Sequence, residues 1–360
     1  MSALLLEARQ GAQRYPVEVG SVLPARAVEC AAGRDGVALV TCAPVLATPL
    51  GRGVQRALAR TGTLAATVVL PDGERGKTLA CLERSAQKLL RAGLTRRGLV
   101  VALGGGAVTD AAGFLAAVFM RGVDWMAVPT TLLAMVDAAL GGKTAVNLPA
   151  AKNAVGAFHP PTAVLSDPAA LRTLPARELR SGLGEVLKYG LLRPEILPRV
   201  SAPLRRGQVD ARVISECAQV KLAVVERDPR EQGERKLLNL GHTFGHGVEA
   251  AGGFSRYRHG ESVAVGMAFA FRLARRLGRV DPGAVERVEA LISGAGLPVC
   301  LPPSLARRAL TLMGHDKKRT AAGLRWVLPV HRGSDWEVEW DVPAEEAAVR
   351  ATAREIGRER

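Results

Sequence analysis

Short β-branched and apolar runs alternate with amphipathic stretches through the first 170 residues. VALVTC (37–42), TVVLP (67–71), LVVALGG (99–105), WMAVPTT (125–131) and AVLSD (163–167) have the length and composition of buried strands. LERSAQKLLRAGL (82–94) and DAAGFLAAVFM (110–120) carry apolar positions at helical spacing between them. Strand and helix in alternation predict a parallel sheet with crossover helices. Residues 1–170 therefore read as an α/β, Rossmann-like nucleotide-binding domain.

The pattern changes after residue 170. Thr173-Leu-Pro-Ala-Arg-Glu has a capping hydroxyl and a proline in the first turn of a helix. Periods near 3.6 then run through 182–193, 210–227, 262–277 and 282–295. LRWVLPV followed by DWEVEWD suggests a late hairpin, and AEEAAVRATAREIGRER a polar closing helix. Residues 171–360 thus read as a mostly α-helical second domain, and 360 residues exceed what one core usually accommodates. Residues 98–120, GLVVALGGGAVTDAAGFLAAVFM, are long and apolar enough to suggest a membrane span. Three consecutive glycines and a central Asp110 make them a buried strand, a tight loop and a buried helix instead.

Composition narrows the function classes. A net charge of +15 raises nucleic acid as a partner, but the arginines scatter singly or in pairs and aromatics are only 4%. A phosphate-binding stripe or base-stacking platform is not indicated. Lysine is more telling, with nine against forty arginines. Six of the nine, Lys77, Lys143, Lys152, Lys188, Lys221 and Lys236, fall within or beside Gly- or His-bearing segments. An ammonium on a flexible stem transfers protons at a shifted pKa, which a guanidinium does not. Five cysteines, odd in number and without a CxxC pair, indicate neither a disulfide framework nor a zinc knuckle, and fit a reducing cytoplasm. MSALLLEARQ has neither the apolar run nor the cleavage pattern of a signal peptide.

Two regions carry candidate chemistry. Gly104-Gly105-Gly106 ends a strand and opens a helix, where backbone without Cβ atoms can approach a pyrophosphate and the helix terminus adds positive partial charge. This is not GxGxxG, and no acidic residue stands at the distance that would catch a ribose. PDGERGK (71–77) has the look of a second nucleotide-side loop. Further on, LLNLGHTFGHGVEA and RHGES place three of the six histidines within eighteen residues, and GLGEVLKYG sets Glu185 and Lys188 three apart on one helix face. Two imidazoles and a carboxylate make a catalytic zinc set. Spacing alone pairs His242 with His246, as in HExxH, but no glutamate lies between them and the protease reading fails.

GGGAVTDAAGFLAAVFMRG, PTTLLAMVDAALGGKTAVN, AKNAVGAF, TLPARELRSGLGEVLKYG, LLNLGHTFGH and HGE, in this order from about residue 70 to 330, resemble the 3-dehydroquinate synthase family of sugar phosphate cyclases. The resemblance implies a dehydroquinate synthase-like fold and a homodimer. Its metal ligands would be Glu185, His242 and His259, which overrules the spacing choice and makes His246 a substrate-side residue. NAD would lie against Asp72, Gly73, Glu74, Lys77, Gly105, Gly106, Ala107, Val108, Thr109, Asp110, Thr130, Thr131, Lys143, Lys152, Ala170, Leu171, Arg172 and Thr173. Substrate would be held by Asp137, Lys143, Asn153, Lys188, Lys221, Arg235, Asn239 and His246, with Arg121 lent by a neighbouring subunit and Lys317 or Lys318 closing over the site. Cys42 stands where relatives often have Asp or Asn, and VDAALGG replaces VDSSVGG.

The implied reaction converts a phosphorylated sugar acid, 3-deoxy-D-arabino-heptulosonate 7-phosphate, to 3-dehydroquinate and phosphate in the shikimate pathway of aromatic amino acid biosynthesis. It uses NAD catalytically and a divalent metal, Zn2+ or Co2+. Cyclases of the 2-epi-5-epi-valiolone and 2-deoxy-scyllo-inosose synthase types share most motifs, but their substrates lack the carboxylate. The GHTFGH form and Arg235 favour the sugar acid. Metal-dependent polyol phosphate dehydrogenases share the glycine loop but usually carry a Lys a few residues after the Asp, which Asp110-Ala-Ala-Gly lacks.

Overall fold

The apolar runs of the first half build one seven-stranded sheet. The chain is described by a computed structural model over residues 3–149, 151–205, 209–313, 319–320, 323–333 and 335–358. In chain order its elements are β1 (Leu4–Gln10), β2 (Gln13–Val19), α1 (Ala25–Ala31), β3 (Val37–Cys42), α2 (Ala43–Leu46), α3 (Pro49–Arg60) and β4 (Leu64–Leu70). Then come α4 (Leu79–Arg91), β5 (Leu99–Gly104), α5 (Gly106–Val118), β6 (Asp124–Pro129), β7 (Lys143–Leu148), β8 (Ala151–Phe158) and β9 (Ala163–Ser166). The remainder holds α6 (Ala176–Leu192), α7 (Leu197–Arg205), α8 (Ala211–Arg227), α9 (His242–Ala251), α10 (His259–Arg276), α11 (Pro282–Gly294) and α12 (Pro303–Met313). It ends with β10 (Arg319–Thr320), β11 (Gly323–Arg332), β12 (Asp335–Pro343) and α13 (Glu346–Ile356).

The sheet order is β1-β2-β9-β6-β5-β3-β4, parallel except for the β1–β2 hairpin at one edge. Every residue of β3 and β5 is buried, because helices cover both faces of a parallel sheet. That is why these strands read as unbroken apolar runs. Chain order reverses direction between β3 and β5. In such sheets ligands bind outside the carboxyl ends of the strands at that switch point. The glycine loop leaves β5 there, and PDGERGK leaves β4 on the same side.

Two compact units divide the chain, Met1–Pro175 with Asp210–Pro229, and Ala176–Val209 with Arg230–Arg360. Helix α8, which the sequence expectation grouped with the helical half, belongs to the first unit. Its apolar face packs on β1 and on a π-helical turn, Ala134–Ala138. In the second unit α10 is buried along most of its length and packs against α6, α9, α11, α13 and β11. The late hairpin β11–β12 and the closing helix α13 form as expected. Helix α6 starts at Ala176, later than expected. Thr173 instead ends a 3-10 turn, Pro168–Thr173, and donates its hydroxyl to the Ala170 carbonyl at 3.2 Å. The β1–β2 and β7–β8 hairpins were not anticipated. Among the described residues no helix is long and apolar enough to cross a membrane, the 98–120 stretch being β5 and α5.

Candidate metal centre and nucleotide-side loops

In the second unit, three helices deliver three donor atoms to one point. Glu185 lies mid-way along α6 and is fully buried, while His242 and His259 are the first residues of α9 and α10. Glu185 Oε1 faces His259 Nε2 at 3.3 Å and His242 Nε2 at 3.6 Å. All three donors fall within 4.8 Å of one another. Ligands about 2.0–2.1 Å from a tetrahedral ion stand about 3.3–3.4 Å apart, so the group fits a Zn2+-sized ion with little adjustment. Glu185 Oε1 is buried with no hydrogen-bond partner of its own, and a cation held by the three groups would satisfy it. Glu185 Oε2 lies against Lys188 Nζ, one turn further along α6. His246 stacks edge-on against His242, ring centroids 5.5 Å apart, but is not one of the three converging groups.

Close helix packing makes the convergence possible. Gly260 follows His259, and a Cβ there would lie 1.7 Å from the Ser181 carbonyl oxygen of α6. Its amide donates to Ser181 Oγ at 3.0 Å. Gly241 precedes His242 with φ of 78°, a backbone region that favours glycine, and its carbonyl meets α10 where Gly266 leaves room. Both histidines thus sit beside glycines that bring their helices to backbone contact with a neighbour.

Burial pushes the His259 imidazole down, yet the Glu185 and Glu249 carboxylates outweigh it and hold its pKa up at about 10. Nearby, Asn239 donates to Glu231 at 2.7 Å, and Arg235 is among the largest fully buried side chains. Both belong to the 3-10 turn Glu234–Asn239 that leads into Gly241.

The first unit carries the residues that the sequence resemblance assigned to the nucleotide. Gly105 occupies the cap position of α5, and Ala107, Val108 and Thr109 form its first turn, where amides lack intrahelical acceptors. Lys77 is buried and donates to Asp110 at 2.6 Å and to Asn153 at 2.5 Å. Burial pushes the Asp110 carboxyl up, against the pull of Lys77. Asn147 donates to Glu74 at 2.6 Å and accepts from the Asn153 amide at 2.9 Å. PDGERGK, the start of α5 and the β7–β8 hairpin are thereby tied together. Asp72 and Gly73 begin the 3-10 turn of that loop; the Thr130 amide donates to the Gly104 carbonyl, and Thr131 Oγ1 accepts from the Ala134 amide. Burial raises the Cys42 thiol, and nearby Asp72 adds to the effect.

Lys143 opens β7 as an exposed residue, Lys152 and Asn153 lie on β8, and Ala170, Leu171, Arg172 and Thr173 form the 3-10 turn before α6. Lys221 of α8 donates to the Asp137 carboxylate and carbonyl, each at 2.6 Å. Arg121 is exposed on a turn where Met120 and Arg121 have φ of 50° and 66°, a strain of about 1–3 kcal/mol each. Lys317 and Lys318 lie outside the described residues. Sequence reasoning missed Asn147, Glu231 and Glu249. Only Glu249 had left a trace, seven residues after His242 and so on the same helix face.

A doubly wound sheet in one unit and a carboxylate–bis-histidine cluster in the other fit an enzyme that uses a nucleotide and a metal ion. Among solved structures, a Streptomyces hygroscopicus 2-epi-5-epi-valiolone synthase with NAD+ and Zn2+ bound matches at TM-score 0.81 and 27% identity, covering 98% of each chain. A 2-deoxy-scyllo-inosose synthase, complexed with carbaglucose-6-phosphate, NAD+ and Co2+, matches the fold at TM-score 0.81 and 24% identity, over 98% of this chain and 100% of that one. A probable glycerol dehydrogenase from Sinorhizobium meliloti shares the fold less closely, at TM-score 0.63 and 18% identity over 92% of this chain and 93% of that one.

The chain belongs to the 3-dehydroquinate synthase family: residues 67–181 match its N-terminal domain and 182–319 its C-terminal domain. A 3-dehydroquinate synthase of Xanthomonas axonopodis is 45% identical over 88% of this chain and 90% of its own length. One from Gloeobacter violaceus is 47% identical over 85% and 88%.

Proposed function

We infer that the chain catalyses the 3-dehydroquinate synthase reaction, converting 3-deoxy-D-arabino-heptulosonate 7-phosphate to 3-dehydroquinate and inorganic phosphate. The observation that carries this reading is the convergence of Glu185, His242 and His259 within 4.8 Å in a chain of this family. The overall change couples transient oxidation at C5 to phosphate elimination, reduction, ring opening and aldol closure. When bound, NAD accepts and returns the hydride, and Zn2+ or Co2+ lends Lewis acidity to the vicinal hydroxyls.

The protein's residues bind, orient and balance charge around this chemistry. Glu185, His242 and His259 hold the ion, and Lys188 keeps the second oxygen of Glu185 occupied so that the first faces the imidazoles. The residues of the glycine loop, PDGERGK and the 168–173 turn hold NAD, with the Lys77–Asp110 pair fixing the start of α5. In the first unit Lys143, Lys152 and Asn153 provide cations and a donor suited to a substrate phosphate, and in the second unit Lys188 is a further cation assigned to substrate. In the first unit Lys221, steadied by Asp137, is a cation suited to a carboxylate; in the second unit Arg235 is another, and Asn239 and His246 are suited to hydroxyls. The departing phosphate takes the proton itself, so these cations organise the base as well as the leaving group. We also propose a homodimer, for which the exposed Arg121 on its strained turn is suited to reach a second copy, and residence in the cytoplasm, consistent with five cysteines none of which forms a disulfide.

Incubating the purified chain with NAD, Zn2+ or Co2+ and the heptulosonate phosphate should release orthophosphate and a carbocycle without net NADH. Net NADH would point to a polyol dehydrogenase. Faster turnover of sedoheptulose 7-phosphate or glucose 6-phosphate would point to another cyclase.

A further inference from the structure

Each histidine of the metal cluster has its Nε2 turned toward Glu185 Oε1, and what lies behind the ring differs. Behind His242, Nδ1 lies 3.2 Å from the Leu240 carbonyl two residues earlier, a backbone acceptor that comes with the turn into α9. Behind His259, Nδ1 lies 3.6 Å from Oε1 of Glu249. Glu249 is buried, 5% exposed, and is not among the converging donors. It stands two turns after His242 on the same face of α9, and its own carbonyl is pinned by the Phe254 amide at 2.8 Å.

A carboxylate is costly to bury unless something nearby uses its charge. Here it faces Nδ1, the ring nitrogen other than the one turned toward Glu185, where it can accept a hydrogen bond from Nδ1–H, and it is not one of the converging donors. An acceptor at Nδ1 fixes which nitrogen carries the proton, limits ring rotation and raises the donor strength of Nε2.

We propose that Glu249 is a positioning residue for the metal centre, holding His259 in the Nδ1-protonated tautomer and in the rotation that aims Nε2 at the ion. The inference rests on the reading of Glu185, His242 and His259 as metal ligands. It also assigns α9 two tasks, supplying one ligand directly and orienting another on the next helix.

The test uses the full-length chain stripped of metal and titrated with Zn2+ or Co2+ alone against a chromophoric chelator, for wild type, Glu249→Gln, Glu249→Asp and Glu185→Gln. Glu249→Gln should bind about ten- to a hundredfold more weakly than wild type. Its Co2+ complex should show shifted visible d–d bands, while far-UV circular dichroism stays unchanged and Glu249→Asp recovers part of the affinity. Wild-type affinity and an unchanged Co2+ spectrum in Glu249→Gln would overturn the inference while leaving the ligand assignment standing. If wild type takes up no ion, or Glu185→Gln binds as tightly as wild type, the ligand reading fails and this inference falls with it. Wild-type protein labelled with 15N-histidine gives an answer without any variant. In the Zn2+-loaded state His259 should show a protonated Nδ1 and a metal-shifted Nε2, and the opposite assignment would refute the role of Glu249.

Discussion

Gly260→Ala adds one methyl group at the point where α10 touches α6, and its effect can be worked out from the contact. The new Cβ would lie 1.7 Å from the Ser181 carbonyl oxygen and 2.6 Å from its carbon, where ordinary contact begins near 3.4 Å. The obstacle is backbone inside a close-packed helix pair, so no side chain can rotate away. Relief along that line takes about 1.7 Å of displacement. His259 is the adjacent residue, and its Nε2 now stands 3.3 Å from Glu185 Oε1. A shift of that size takes the pair to about 5 Å, well past the about 3.4 Å a shared tetrahedral ion allows. Overpacking alone should cost about 1–3 kcal/mol of stability. Misplacement of a ligand by more than 1 Å should lower turnover by about a hundredfold or more. Gly53→Ala in α3 is the control, because nothing lies within 4 Å of a Cβ there, and it should be neutral or stabilising by about 0.4–1 kcal/mol. Metal content per chain, Tm and orthophosphate release would be measured on both variants. A Gly260→Ala protein that keeps one ion per chain, wild-type Tm and wild-type turnover would refute the argument that backbone contact sets the ligand spacing.

Glu185→Gln should leave a folded chain with little bound metal and no turnover; retention of both would remove Glu185 from the ligand set. Arg235→Ala should raise KM for the carboxylate-bearing substrate by about ten- to a hundredfold, the loss of a charge-assisted hydrogen bond of about 1.5–3 kcal/mol, and an unchanged KM would assign the carboxylate elsewhere. Lys77→Ala leaves Asp110 without its cation and should cost about 3 kcal/mol in urea unfolding, most of it restored in the double variant with Asp110→Asn. In the metal-free chain His259 has a pKa raised from 6.5 to about 10. Its pairing therefore stabilises fully below about pH 6.5 and fades as pH rises toward 10. The Tm of chelator-treated protein should fall across that window, and His259→Gln should flatten the fall. Metal uptake in the same window should release a proton, seen as buffer-dependent heats in calorimetry.

Much of the architecture could be read along the chain because it is written in local periodicity. Unbroken apolar runs such as VALVTC and LVVALGG marked strands covered on both faces, and the change to a period near 3.6 after residue 170 marked the helical unit. Residue chemistry and order were equally local. The glycine loop, the lysines beside it and the crowded histidines pointed to a nucleotide side and a metal side by residue chemistry alone. What one dimension could not supply was adjacency. Spacing paired His242 with His246, four residues apart on one helix. In three dimensions His242 meets Glu185, fifty-seven residues earlier, and His259, seventeen later, while His246 stands aside. Helix α8 returns to the first unit to place Lys221 on Asp137, and Glu249 comes to lie behind His259. These meetings depend on how closely helices approach, and at Gly260 and Gly241 that approach is set by a missing Cβ against another segment's carbonyl. Periodicity records which face of an element is buried, but the partner on the other side of that face exists only once the chain has folded.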